Sequence, residues 1–351
     1  MKFSFFTSAF LSVVLLGSCA VEVDTPANED EKMYLEAWIH THHPDAERQG
    51  MGIYVLSETE GDGEKSITMP CYAMVTYTTR DLDGNVTATS DSLVARQTGD
   101  YNKSYYYGPR VWNVSENSIS KGLEDMVAGM TEGGSKEAVI PGWLLTYNRY
   151  GSEEEYMSEV TGNSHVIYTV RLEEVTDDIM QWQTDSIENY ISKNYTGSNA
   201  PERIFEGFYF SSEAGTDTFG DTSGDGTGDE PSAEDMHKDT TVYINYTGKL
   251  LNGQVFDTTS ERIAKDNNIY DSSRTYAPVE VTMSSDSTAV KLDGNSVISG
   301  FTSTIWRMAP MEKGTGIFYS QLGYGTSGSG SLIPEYAPLI FEIELVENPE
   351  E

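Results

Sequence analysis

Three stretches in the second half of the chain gather side chains that could build a site. In the first, from Val242 to Thr259, Tyr246 precedes Thr247-Gly248, and a turn at Asn252-Gly253 leads to the pair Phe256-Asp257. The second is Val297-Ile298-Ser299-Gly300-Phe301, with Met308 seven residues on. The third is Gln321-Leu322-Gly323-Tyr324-Gly325, then Leu332-Ile333-Pro334, then an alternating run from Leu339 through Phe341 to Leu345. The chain has no Ser/His/Asp triad pattern, phosphate loop or Cys-x-x-Cys. Two clusters invite a metal reading. The aspartates at 217, 221, 225 and 229 recur every four residues, unlike the alternate ligands of an EF-hand loop, and no terminal bidentate glutamate follows, so a solvated acidic loop is expected. His40, His42 and His43 with Asp45 sit where a helix should end and where partial positive charge is favoured.

Taken in order, the three stretches resemble the FKBP-type peptidyl-prolyl cis/trans isomerases: a tyrosine before Thr-Gly, a hairpin and a Phe-Asp pair, one helix, then Tyr-Gly, Ile-Pro and a last strand. Any one block alone is a weak signal. The resemblance implies a pocket of Tyr246, Phe256, Asp257, Phe301, Tyr324 and Phe341, with Arg262, Val279, Val297, Ile298, Leu332 and Ile333 contacting substrate. It also implies that Asp257 pairs with Arg262 and polarises Tyr246, since a charge beside an apolar cavity needs a partner. Phe301 stands where that family usually carries tryptophan, and insertions around Ala264–Tyr276 and Met283–Asn295 lengthen loops beside the pocket.

The implied chemistry is rotation about an X-Pro bond. Amide resonance sets a barrier of about 18–20 kcal/mol, and X-Pro isomers exchange slowly unaided. A twisted amide has less charge separation than a planar one, so a dry aromatic site favours the transition state. No cofactor, metal, nucleophile or general base is required. The Ile298 N–H and the Tyr324 hydroxyl are placed to hold substrate carbonyls, and the partners are proline-containing polypeptide clients.

The elements that would position these residues occur twice. A helical stretch from Glu31 to about His40, with Met33, Tyr34, Ala37 and Trp38 at helical spacing, precedes a break and a strand at Gly52–Leu56. A second stripe, Ile187, Tyr190 and Ile191, precedes a break and a strand at Gly207–Phe210. Val75–Thr78 matches Ile244–Thr247, Gly122 and Met130 match Gly300 and Met308, and strands at His165–Leu172 and Leu339–Leu345 close each copy. The predicted class is α+β: two FKBP-like domains, residues 31–175 and 205–348, each an antiparallel twisted sheet on one short helix with an extra helix before it. A helical linker, 176–204, joins them, and 215–235 is an acidic Gly/Asp-rich insertion. In the first copy Thr87 and Ala88 replace Phe256 and Asp257, Leu123 replaces Phe301, and no Tyr-Gly and Ile-Pro elements follow Ile140–Trp143. That domain should therefore serve as spacer, client-binding surface or homodimer contact.

Residues 1–19 read as a signal peptide, with Lys2, an apolar run from Ala9 to Leu16, and Leu16-Gly17-Ser18-Cys19, which resembles a bacterial lipobox. Cys19 would carry the lipid, 20–30 would be a tether, and the expected location is the bacterial cell envelope, at the periplasmic face or the outer surface of the outer membrane. Only Cys71 remains for the mature chain, so no intrachain disulfide is available. A formal charge of −34, from 56 acidic against 22 basic residues, disfavours nucleic acid and leaves membrane attachment to the lipid. The competing reading is a non-catalytic FKBP-like lipoprotein that acts as chaperone or partner-binding module.

Overall fold

The computed structural model describes residues 28–213 and 240–349. The expected leader with Cys19, nearly all of the tether and the 215–235 insertion with its aspartates lie outside the described residues. Among the described residues the chain forms two antiparallel sheets, each with a short helix packed on it, so the class is mixed α and β.

Helix α1 (Glu29–His42) has acidic residues in its first turn and His40 and His42 in its last, the polarity a helix dipole favours. It buries Leu35 and Ile39 against the first core, while the Asn28 amide donates to the carbonyls of Met157 and Val160 at 2.7 and 2.6 Å. The expected stripe of Met33, Tyr34, Ala37 and Trp38 is therefore not the packed face. Met33 and Tyr34 are 56% and 55% exposed, and of the four only Trp38 packs on the core. Two stripes of helical spacing were available, and the anchored Asn28 selects the one in line with it.

The first sheet comprises β1 (Glu47–Gln49), β2 (Ile53–Thr59), β3 (Cys71–Arg80), β4 (Val86–Thr89), β5 (Arg110–Val114), β6 (Ser135–Ile140) and β7 (Val166–Thr176). Its order is β1-β2-β6-β7-β3-β4, with β5 also on β3. The second comprises β8 (Glu202–Phe205), β9 (Phe208–Glu213), β10 (Thr241–Leu250), β11 (Val255–Thr258), β12 (Val279–Thr282), β13 (Lys291–Leu292), β14 (Asn295–Ser296), β15 (Lys313–Phe318) and β16 (Leu339–Val346). Its order is β14-β13-β12-β10-β16-β15-β9-β8, with β11 also on β10. Matching β3 to β10, β7 to β16 and β6 to β15 makes the two sheets run in one order.

One glycine in each unit explains how helix and sheet meet. A Cβ on Gly300, in the helix Ser299–Ile305, would lie 2.4 Å from the Phe318 ring, and one on Gly122, in the helix Lys121–Val127, would lie 2.2 Å from Ile140 Cγ2. No side chain fits at either place, which gives the recurrence of glycine a packing reason. Between the units the helix Ile179–Asn194 begins at Asp178, whose side chain accepts from the N–H groups of Met180 and Gln181. Its Ile187 is buried with Tyr209, Ile317 and Ile340 in a satellite core on the second sheet.

Candidate functional site

The alternation of β10 and β16 decides which side chains face the helix Ser299–Ile305. Tyr246 and Ile343 are paired across the ladder, as are Gly248 and Phe341, and successive residues point to opposite faces. Tyr246, Phe256, Phe301 and Phe341 thus converge in the second core. Phe301 meets Phe341 at 4.9 Å and 78° and Tyr246 at 5.5 Å and 82°, while Phe256 meets Phe341 at 5.5 Å and 76°. These are edge-to-face contacts, the arrangement that aromatic quadrupoles favour. Gly248 makes room for them, because a Cβ there would lie 2.5 Å from Phe256 Cε2 and 3.1 Å from Phe341 Cε1.

Beside this apolar cluster the Asp257 carboxylate is held from three sides. One oxygen accepts the Tyr246 hydroxyl at 2.6 Å, and the other accepts the Thr258 N–H at 2.8 Å and the Arg274 guanidinium. Arg274 Nη2 also donates to the Tyr246 hydroxyl at 3.2 Å. Burial, and after it the Asp257 charge, push the Tyr246 phenol far above its usual range. Burial opposes the charge on Arg274, yet the hydrogen bond and charge of Asp257 outweigh it and raise its pKa. The expected partner, Arg262, is not part of the site. Its side chain is 81% exposed and faces Asp266 one helical turn along, at 3.5 Å. Residue 262 lies on the exposed face of the helix Glu261–Asp266, whereas Arg274 comes from the loop that follows. With both carboxylate oxygens engaged, Asp257 is arranged to fix Tyr246 rather than to move a proton.

The region from residue 232 to residue 346 matches the family model described as FKBP-type peptidyl-prolyl cis-trans isomerase. This stretch is an FKBP-type domain. The chain is 36% identical over 111 residues to FK506-binding protein 2 of Kluyveromyces lactis, covering 31% of this chain and 64% of that protein. It is 33% identical over 110 residues to a probable FKBP-type peptidyl-prolyl cis-trans isomerase of Haemophilus influenzae, covering 31% of this chain and 36% of that one. The chain thus spans less than two thirds of either relative. Among solved structures, the three FKBP domains of wheat FKBP73 align with 84% of this chain and 94% of theirs, at 16% identity and a TM-score of 0.26. FkpA from Escherichia coli aligns with 43% of this chain and 60% of its own, at 16% identity and a TM-score of 0.30.

Around the aromatic cluster of the FKBP-type domain, Ile333 is buried in the same core, and Val279, Val297, Ile298 and Leu332 pack on its edge half-buried. Tyr324 is 37% exposed; burial, then the nearby Asp257 charge, raises its pKa. The Ile298 N–H, at the N-cap of the helix, has no acceptor among the described residues. A cavity of about 710 Å³ lies on the other face of the sheet, against Asn245, Thr247, Glu342 and Glu344. No cluster of three or more metal-binding side chains occurs among the described residues. His42 instead turns Nδ1 to the Trp38 carbonyl and stacks on the Trp38 ring.

The first unit shows what the same ladder looks like without the polar triad. Tyr77 exchanges hydrogen bonds with Ser90 as Tyr246 does with Thr259. Thr78 pairs with Thr89 as Thr247 does with Thr258. That register puts Thr87 and Ala88 level with Phe256 and Asp257, so the carboxylate and one ring are missing.

Proposed function

We propose that the FKBP-type domain is a peptidyl-prolyl cis/trans isomerase, and that the first unit is an FKBP-like domain that has lost its own pocket. The observation that carries the first part is the Asp257–Tyr246–Arg274 group set against four converging aromatic rings. In this reading the proline ring enters over Phe301, between Tyr246, Phe256 and Phe341, with Val279, Val297, Ile298, Leu332 and Ile333 as its apolar rim. The Ile298 N–H and the Tyr324 hydroxyl hold carbonyls on either side of the rotating C–N bond. The amide is left in a site poor in water, which lowers the less polar twisted state relative to the planar one and so reduces the barrier.

The clients are proline-containing segments of exported polypeptides, and lipid on Cys19 would hold the enzyme at the cell envelope. The sequence supports this through Leu16-Gly17-Ser18-Cys19 and an acidity that suits no nucleic-acid partner. A Cys19→Ser variant should move the protein from membrane pellets to the soluble fraction.

A protease-coupled assay on short X-Pro peptides tests the central claim. Acceleration by the wild-type protein that both Asp257→Ala and Tyr246→Phe weaken supports it. A folded protein without acceleration sinks it and favours a binding module, which the deep burial of Phe301 and Phe341 would also suit.

A further inference from the structure

The loop from Gly325 to Tyr336 brings Leu332 and Ile333 to the aromatic cluster, yet its first half is Gly325-Thr326-Ser327-Gly328-Ser329-Gly330. Such a run has a large conformational entropy to lose, and glycine at three of six positions makes it larger. Within its own domain the loop is held by the Tyr336 N–H on the Gly325 carbonyl at 3.0 Å and by a two-way bridge between Ser329 and Ile333. Tyr336 sits at φ 58°, the left-handed region that a bulky residue rarely adopts.

The Gly325 N–H on the Ser320 carbonyl at 2.8 Å and the burial of Ile333 also hold the loop, and further restraints come from the first unit. The Tyr106 N–H donates to the Ser331 carbonyl at 2.8 Å, and the Tyr106 ring packs on the core of the FKBP-type domain. Arg110, at the start of β5, forks onto Glu335, Nε to Oε2 at 3.0 Å and Nη2 to Oε1 at 2.9 Å. Tyr72, on β3, meets the Tyr336 ring edge-on at 5.4 Å and 71°. Two of these contacts fall on Glu335 and Tyr336, where the loop closes on Gly325. An Arg–carboxylate fork fixes direction as well as distance, so it can set the loop's exit where a single lysine contact would not.

We propose that the first unit braces this loop, and that Arg110 is a positioning residue for the aromatic site although it lies outside it. The lost pocket of the first unit is then no loss of purpose, because the face that carries β3 and β5 is committed to the neighbouring loop. The kinetic part of this inference rests on the isomerase reading; the structural part does not.

The test uses the full chain with Arg110→Met, Arg110→Glu, and Arg110→Glu combined with Glu335→Arg. Arg171→Met, which removes an exposed arginine paired with Glu173 elsewhere on the first sheet, is the control. Peptide-resolved hydrogen exchange over residues 320–338 and the split of kcat and KM on an X-Pro peptide are the readouts. In Arg110→Met, loop exchange and KM should each rise about threefold to fivefold with kcat little changed, the size expected of a partly exposed ion pair. Arg110→Glu should be worse, the charge-swapped double variant should recover most of the loss, and Arg171→Met should change neither. Unchanged loop exchange in Arg110→Met, or no recovery on swapping the charges, overturns the brace. A wild-type protein that fails to isomerise, while loop exchange still depends on Arg110, overturns the enzyme reading and leaves the brace standing.

Discussion

Replacing Arg274 with methionine separates the site seen in the structure from the one that the resemblance implied. The change removes the cation that faces Asp257 and donates to the Tyr246 hydroxyl, but leaves the aromatic rings in place. A hydrogen bond to a charged group contributes about 1.5–3 kcal/mol when shielded. Arg274 and Asp257 are each about one third exposed, so solvent screening brings the expected loss down to about 1 kcal/mol. On the rate scale, where 1.36 kcal/mol is tenfold, that is about a fivefold fall in kcat/KM for an X-Pro peptide. Arg274→Lys should fall between the two, because a point charge cannot reach Asp257 and Tyr246 with a fixed fork. Arg262→Met removes only an exposed i,i+4 pair, worth a few tenths of a kcal/mol, and should leave kcat/KM near the wild-type value. The coupled assay at one pH and ionic strength decides the matter. Equal losses in Arg262→Met and Arg274→Met, or none in Arg274→Met, would refute the role given to the 264–276 loop.

Three further outcomes follow from packing and titration. Gly248→Ala forces a Cβ to within 2.5 Å of the Phe256 ring, and urea unfolding should report a loss of about 1–3 kcal/mol with reduced activity. His165 is buried against Trp143 and accepts the Gly142 N–H at 3.1 Å; burial lowers its pKa, and Glu31 opposes this only in part. A neutral form favoured by folding makes stability full above the unfolded value of about 6.5 and progressively lost as pH falls below it, so His165→Gln should flatten the acid side of the curve below that pH. Burial raises Tyr246 and also Tyr195, the latter to about 12. Unfolded tyrosine ionises near 10, so this stability is present below about pH 10 and lost as pH rises beyond it, which an absorbance titration of phenolate alongside unfolding would follow.

What the sequence displayed depended on whether a residue's environment is set by its own strand or by a distant loop. Tyr246, Phe256, Phe301 and Phe341 were legible through the resemblance that the three stretches carry when taken in order, and the pairing of β10 with β16 under one short helix is what brings them together. The face of α1 was not legible, since Met33–Tyr34–Ala37–Trp38 and Leu35–Ile39 both satisfy helical spacing and only the anchored Asn28 distinguishes them. Nor was Arg274, for nothing local ties an arginine seventeen residues away to Asp257. A signal was present nevertheless. Tyr270-Asp271 with Tyr276, followed by Ala277-Pro278, repeats Tyr101-Asn102 with Tyr107, followed by Gly108-Pro109. In both loops the tyrosines stack, and the second tyrosine's hydroxyl accepts the N–H of the residue after the first, at 2.9 and 3.1 Å. A loop that keeps the same scaffold in both units is a built element rather than a drifting insertion.

That shared scaffold explains how one loop came to serve two ends. Counting from the first tyrosine, Arg274 and Tyr105 hold the same place, as do Thr275 and Tyr106. In the FKBP-type domain the position points an arginine at its own Asp257. In the first unit Ala88 stands level with Asp257 and offers no charge for an arginine to meet. The Tyr105 carbonyl instead accepts from Gln254 of the neighbouring domain at 3.1 Å, and Tyr106 lies against that domain's core. Once the carboxylate is absent, an inward arginine would be an uncompensated charge beside apolar rings, which burial penalises. The tyrosine that gains apolar contact with the second domain is the next one, Tyr106, whose hydroxyl is satisfied on the Pro109 carbonyl at 3.2 Å, whereas the Tyr105 side chain is 49% exposed. The position left without a carboxylate to meet and the contact with the second domain thus fall on one loop, so Tyr106→Ala should raise hydrogen exchange over residues 320–338 while leaving Asp257 and Arg274 in place.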